Sequence, residues 1–275
     1  MTAVKSEAPE EHKMPLLEHL VELRKRLMIS AVAFLVAFIV CYHFSQDIYA
    51  FLEKPLANLL GANRRMIYTA PTEAFFTYLQ VAGFSAAFLC FPVWAGQIWA
   101  FVAPGLYRHE KKAFLPFMVA TPLLFLAGAA TVYYMVLPLA LTFFLSFQSL
   151  GGGEGGALPI QLEAKVGEYL SLVMKLIFAF GVAYQMPVLL TLLARVGILS
   201  AADLAAKRRY AIVGIFIAAA VLTPPDIMSQ LSLAAPMLLL YEISIFACRW
   251  VEKDRLVVEA AVAQDPVEET DFNEG

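Results

Sequence analysis

From Thr72 to Phe101 the chain runs without a lysine or an arginine. As a helix those thirty residues extend about 45 Å, more than the roughly 30 Å hydrocarbon core of a bilayer, so the segment must tilt, bend near Pro92 or protrude. A water-soluble domain has no use for such a stretch. The composition agrees, with 60% hydrophobic and only 16% charged residues against a soluble norm of about 25% charged. Mean hydropathy is +0.70. The chain reads as a membrane protein.

Other apolar runs follow the same pattern. A first helix is expected from Pro15 to Phe44, and a third from Glu110 to Phe147, bent by Pro116, Pro122 and Pro138. A fourth is expected from Lys165 to Arg195, carrying Lys175, Tyr184, Gln185 and Pro187 in apolar surroundings. The fifth, Tyr210 to Leu222, has only thirteen apolar residues, about 20 Å, and Thr223-Pro224-Pro225-Asp226 stops it. Asp226 is placed to cap the next helix. That sixth helix, Ile227 to Cys248, is interrupted by Ser229, Gln230, Ser232, Pro236 and Glu242 and also reads as too short or too polar for a bilayer of ordinary thickness. Gln46 to Leu60 is amphipathic and suits the interface. Trp94 and Trp99 mark an interfacial end of the second helix, and Lys175 is expected to snorkel outward.

Six spans put both termini on one side, and the loop charges choose the side. Fifteen of the 20 Lys and Arg fall before the first span, in the second and fourth loops and after the sixth span. By the positive-inside rule both termini are cytoplasmic. The N-terminus lacks a basic n-region and a cleavage site, so the first span is expected to be retained. The expected architecture is an all-α membrane protein of six transmembrane helices of unequal length around an open concave face. Residues 1–14 form a cytoplasmic disordered tail, 15–250 the six-span domain and 251–275 an acidic disordered tail. Cys41, Cys90 and Cys248 are dispersed in apolar segments and suggest no disulfide or metal site.

The segment His19-Leu-Val-Glu-Leu-Arg-Lys-Arg-Leu27 carries the charge that leads into the first span. Helical spacing puts His19, Glu22 and Arg26 on one side and Leu20, Leu23 and Leu27 on another. Glu22 thus meets cations where the hydrocarbon begins. It can serve as half of an i,i+4 pair with Arg26, with Arg24, Lys25 and Arg26 as topology signals, or as an acid held for an outside cation. Glu110 stands in a similar basic setting on the same surface.

Three segments, His19 to Leu27, Trp99-Ala-Phe-Val-Ala-Pro-Gly-Leu-Tyr-Arg-His-Glu110 and Leu222-Thr-Pro-Pro-Asp-Ile-Met-Ser-Gln230, together resemble the signature segments of the TatC family, the integral receptor subunit of the twin-arginine protein translocase. They occur in the family's order, and the resemblance covers nearly the whole membrane portion. It implies a receptor in the bacterial cytoplasmic (inner) membrane that binds twin-arginine signal peptides on its cytoplasmic face and supports protonmotive-force-driven export of folded proteins. Guanidinium and carboxylate pair through two parallel N–H···O bonds that lysine cannot reproduce, so two arginines suit two acids. Glu22 and Glu110 match the family's signal-binding pair, Phe101 its cytoplasmic-loop aromatic, and Arg24 an arginine of the N-terminal motif. His19 shares the Glu22 face. Pro55 aligns with a family proline of the first external loop.

Thr223 and Gln230 match the cluster where the family docks single-span partner subunits of the TatA and TatB type; their local alternative is capping of short helices. Gln185 matches a position where the family carries Glu or Gln, and could equally satisfy a carbonyl freed by Pro187. The resemblance further implies self-association and contact with membrane lipids, and neither a cofactor nor nucleic acid. A six-span small-solute or ion transporter is the alternative, though no internal repeat of the usual transporter kind is evident. An enzyme is the weakest reading, because the four His form no HExxH and no GxSxG or intramembrane Asp pair is present.

Overall fold

A computed structural model of the chain describes residues 16–61, 65–106, 111–148, 162–222 and 227–264. Their regular structure is helical apart from one isolated bridge. In order come α1 (Leu16–His43), α2 (Ser45–Leu60), α3 (Glu73–Leu106), α4 (Lys111–Thr131), a π-helical turn (Val132–Val136), α5 (Leu137–Leu145), α6 (Val166–Ala183), α7 (Met186–Arg195), α8 (Ala201–Ala206), α9 (Arg208–Leu222) and α10 (Ile227–Gln264).

Prolines explain where the long apolar segments depart from straight helices. A proline lacks an N–H and its ring crowds the carbonyl four residues back. The π turn sits immediately before Pro138 and widens the helix there. The fourth expected helix breaks at Tyr184 and Gln185, just before Pro187, into α6 and α7. Pro55, buried inside α2, frees the Phe51 carbonyl, and the Tyr133 hydroxyl donates to that oxygen at 2.7 Å while the two rings stack at 4.5 Å. Pro55 therefore docks α2 on the π turn, a physical reason for a proline that sequence comparison alone marked as structural.

The core gathers around α6, where Leu170, Val173 and Phe180 are fully buried. It packs against α4 so closely that a Cβ on Gly128 would stand 2.7 Å from the Phe180 carbonyl oxygen, and one on Gly181 2.5 Å from the Phe125 ring. Small residues let the backbones approach, as is usual between membrane helices. Thr131 Oγ1 and the Tyr184 hydroxyl complete the crossing at 2.8 Å. α1 packs on α3, and α10 on α7 and α9. Between α2, α3, the π turn and α6 lies an apolar recess of about 370 Å³, lined by Phe51, Phe84, Phe88, Leu126, Tyr133 and Tyr134 among others.

At one end the chain is knotted by main-chain bonds. Ile67 N–H donates to Ala164 O and Val166 N–H to Ile67 O, each at 3.0 Å. The Glu73 carboxylate at the start of α3 accepts from Thr69 N at 2.8 Å and from Gly167 N, in α6, at 3.2 Å.

Among the described residues, five segments are long and apolar enough to cross a membrane: His19–His43, Glu73–Phe101, Pro116–Leu145, Val166–Arg195 and Gln230–Lys253. Length and composition make this a multi-pass membrane protein. α9, the fifth expected span, has 15 residues, about 22 Å. Two expectations for the last helix are corrected. It is not short, since Gln230–Lys253 has the length and composition of a span; within it Glu242 receives the Arg208 guanidinium at 2.8 Å at the surface, and the buried Ser244 donates to Leu240 O at 2.6 Å. Nor does order end at Val251, because the helix continues through Gln264. The expected loop between Arg195 and Arg209 contains α8, which opens with a capping box between Ser200 and Asp203; hydrogen bonds from the Ser200 hydroxyl and backbone N–H hold the Asp203 carboxyl below its usual range. The expected tail at 1–14 and residues 265–275 lie outside the described residues.

Candidate functional site

The α1 helix brings three of its polar side chains to the face turned toward α3. The Arg26 guanidinium is bonded to Glu22 through Nε at 3.1 Å and through Nη2, both to the same carboxylate oxygen, while Nη1 reaches Gln97 Oε1 of α3 at 3.5 Å. Both side chains of the pair are about three-quarters covered, at 22% and 25% exposure. One turn further toward the N-terminus, the His19 ring stacks on Phe101 of α3 with centroids 4.3 Å apart and planes 22° from parallel. The pairing of α1 with α3 is fixed below this level by Trp94, whose indole N–H donates to Ser30 O at 3.3 Å. An acid and an aromatic platform thus share one end of the α1–α3 pair. Such a pair of groups can hold a guanidinium by forked hydrogen bonds and by stacking.

His19, Glu22 and Phe101 therefore lie at the same end of the α1–α3 pair. Arg24 is not: it is exposed and has no partner among the described residues. Glu110 lies outside the described residues, as do Thr223, Pro224, Pro225 and Asp226. Gln97 was not singled out by sequence reasoning. Its signal was there, a lone amide between Trp94 and Trp99 in an apolar helix.

Gln185 occupies the break between α6 and α7 and is 9% exposed. Its Nε2 donates to Thr121 O of α4 at 3.0 Å and lies 3.4 Å from Gly181 O, which the backbone releases because Gln185 N bonds Val182 O instead. Its Oε1 has no partner among the described residues. The side chain is a buried tie between α4 and the α6–α7 break, closer to the carbonyl-satisfying alternative than to a group on an open face. Trp99, expected at an interface, is 9% exposed and donates to Thr121 Oγ1 at 3.3 Å within a cluster with Ala95 and Val188.

Gln230 sits near the start of α10 and donates through Nε2 to Phe216 O of α9 at 3.2 Å. It ties the α9–α10 pair together. Beside it α9 shows an exposed stripe of Tyr210, Val213, Ile217 and Val221. Lys175 is exposed, as a snorkelling lysine requires.

Fold and site together define a multi-pass helical membrane protein with a carboxylate and an aromatic pair presented at one end of its two most N-terminal long helices. Residues 18–236 match the family of Sec-independent protein translocase proteins (TatC), and the chain belongs to that family. It is similar to the Sec-independent protein translocase protein TatC of Magnetococcus marinus, 51% identical over 91% of this chain and 90% of that one. The TatC proteins of Rickettsia prowazekii, 48% identical over 86% and 94% of the two chains, and of Escherichia coli, 40% identical over 87% and 90%, are also similar. The fold resembles the crystal structure of a twin-arginine translocase receptor, TatC, with a TM-score of 0.70 and 38% identity over 85% of this chain and 99% of that one.

Proposed function

We propose that this chain is the receptor subunit of a twin-arginine translocase, binding signal peptides at the α1–α3 end with Glu22 and Glu110 as the acids that take the two arginines. The observation that carries this reading is the pairing of Glu22 with Arg26 beside the His19–Phe101 stack. A guanidinium already occupies the acid, so the site has the shape and charge to accept another. Phe101 and His19 supply the stacking surface, and Arg24 contributes to the local positive potential. The role is one of binding and transport within a protein-translocation complex, without catalysis.

The membrane arrangement belongs to the same proposal. The chain sits in the bacterial cytoplasmic membrane with six spans and both termini cytoplasmic, in keeping with its loop charges. α9 crosses a locally thinned bilayer, and the mismatch between about 22 Å and a roughly 30 Å core favours association with another helix. The exposed α9 stripe, together with Gln230 and the residue Thr223 that follows α9 in the sequence, receives single-span partner subunits of the TatA and TatB type. Copies of the chain associate with each other in the active complex.

Crosslinking of a twin-arginine peptide to the purified protein tests the binding site. Glu22→Ala and Glu110→Ala are each expected to weaken capture, the double substitution more so, and raised salt to do likewise, because exposed charge pairs are screened. Undiminished capture by all three variants would sink the reading.

A further inference from the structure

A cleft of about 460 Å³ opens between α3 and α6. α3 contributes Glu73, Thr77 and Gln80, and α6 contributes Glu168, Ser171 and Lys175. Each set is spaced by three or four residues and so lies on one helical face. The groups at the rim are engaged. Glu73 accepts the Thr69 and Gly167 N–H groups, Glu168 pairs with Lys165 at 3.2 Å, and the Thr77 hydroxyl donates to Glu73 O at 2.7 Å. The deeper groups are not: Gln80, Ser171 and Lys175 have no hydrogen-bond or ion-pair partner among the described residues.

Depth makes this unusual. Lys175 lies nine residues beyond Val166, about 14 Å along the helix, inside a segment apolar enough to span a membrane. Polar groups at that depth require partners, and an ammonium most of all. A helical side chain leans toward its own N-terminus, which carries the Lys175 ammonium back toward the rim. There an ammonium, an amide and a hydroxyl face one space, three kinds of donor suited to an anion. Apolar surface adjoins them, since Leu172 and the 53%-exposed Phe76 line the same cleft. A monoanionic phosphodiester with acyl chains uses both features. Free phosphate, more highly charged and without a tail, would gain nothing from Phe76 and would meet the carboxylates of Glu73 and Glu168.

We propose that the α3–α6 cleft is a binding site for the phosphate of a membrane glycerophospholipid, with Lys175 as its anchoring cation and Gln80 and Ser171 as further donors. The site rests on α3 and α6 spanning the membrane and is independent of the peptide-binding reading. Native mass spectrometry of the protein, reconstituted with phosphatidylglycerol and then extracted in mild detergent, tests it by counting retained lipid. Lys175→Leu is expected to lower retention about fivefold, the scale of one lysine near a headgroup, and Lys175→Arg to keep it. Excess inorganic phosphate is expected to leave the bound lipid in place. Equal retention by Lys175→Leu, or displacement by inorganic phosphate, would overturn the site. Twin-arginine peptide capture, measured on the same preparations, is expected to be unchanged, so the lipid site and the peptide site fail separately.

Discussion

The segment that carries Glu22 and the segment that carries Gln185 are both long apolar helices, yet in their most hydrophobic windows 6% of the first is buried and 50% of the second. α1 leans on α3 through one face and exposes Leu27, Val32, Leu35 and Ile39 elsewhere. α6 is held by α4 through backbone-close packing and also packs on α3, and α7 packs on α10. Under the proposed site a receptor helix gains from the first arrangement, since α1 is held through its face on α3 and its exposed faces leave room for small adjustments around a peptide. The second arrangement is the frame against which such adjustments happen, and the main-chain knot of Ile67, Glu73 and Val166 fixes its far end.

Glycine substitutions should break this contrast most visibly. Gly128→Ala forces a Cβ to within 2.7 Å of a backbone oxygen, and is expected to cost about 1–3 kcal/mol as overpacking, read as a lower melting temperature in detergent. Gly83→Ala, at the α1–α3 contact, meets only Phe38 at an ordinary 3.8 Å and should be neutral or gain up to about 1 kcal/mol from helix propensity. Equal destabilisation by both would erase the distinction between frame and receptor helix.

Next in size is the knot itself. Glu73→Ala removes the acceptor for the Thr69 and Gly167 N–H groups and is expected to lower the melting temperature by less than Gly128→Ala, while peptide capture stays as in the parent. A loss of capture comparable to that of Glu22→Ala would show that the two ends are coupled.

Gln185 sharpens the contrast from inside the frame. Its replacement by Leu loses the bond to Thr121 O but also removes the unpartnered Oε1, so the net change should stay within about 1 kcal/mol. Gln185→Glu should be worse, because a carboxylate would face the Thr121 and Gly181 carbonyl oxygens. A cysteine at 185, in a protein lacking Cys41, Cys90 and Cys248, is expected to resist a water-soluble thiol reagent until the protein is unfolded. Rapid labelling of the folded protein would place water where the buried tie stands.

The smallest effect belongs to Arg26. At the proposed site its pair with Glu22 would compete with an incoming arginine, and i,i+4 pairs are worth only about 0.2–0.5 kcal/mol. Arg26→Gln should therefore tighten peptide binding about twofold at most, as measured by titration at low salt. Weaker binding would mean that Arg26 itself contacts the peptide.

Much of this was legible in the sequence because hydrocarbon imposes a simple code of apolar length, proline and basic loops. The long helices, the bend before Pro138 and the approach of His19 and Glu22 to one surface all follow from local pattern. What escaped depended on pairs of residues far apart in the chain. Glu242 reads as a liability until Arg208 is seen beside it, and the two readings of Gln185 stay open until Thr121 O is seen to close on it. The Gly128–Phe180 and Gly181–Phe125 approaches leave no periodic trace, and Gln97 matters only because Arg26 lies opposite.

The central claim is that a carboxylate at the α1–α3 end recognises guanidinium by its forked geometry. Titration of the purified protein with a twin-arginine peptide and its twin-lysine counterpart tests this most directly. The twin-arginine peptide is expected to bind the parent protein about tenfold more tightly or better, about 1.4 kcal/mol, and Glu22→Ala is expected to shrink that preference. Equal affinity for the two peptides in the parent protein, or a preference untouched by Glu22→Ala, would contradict it.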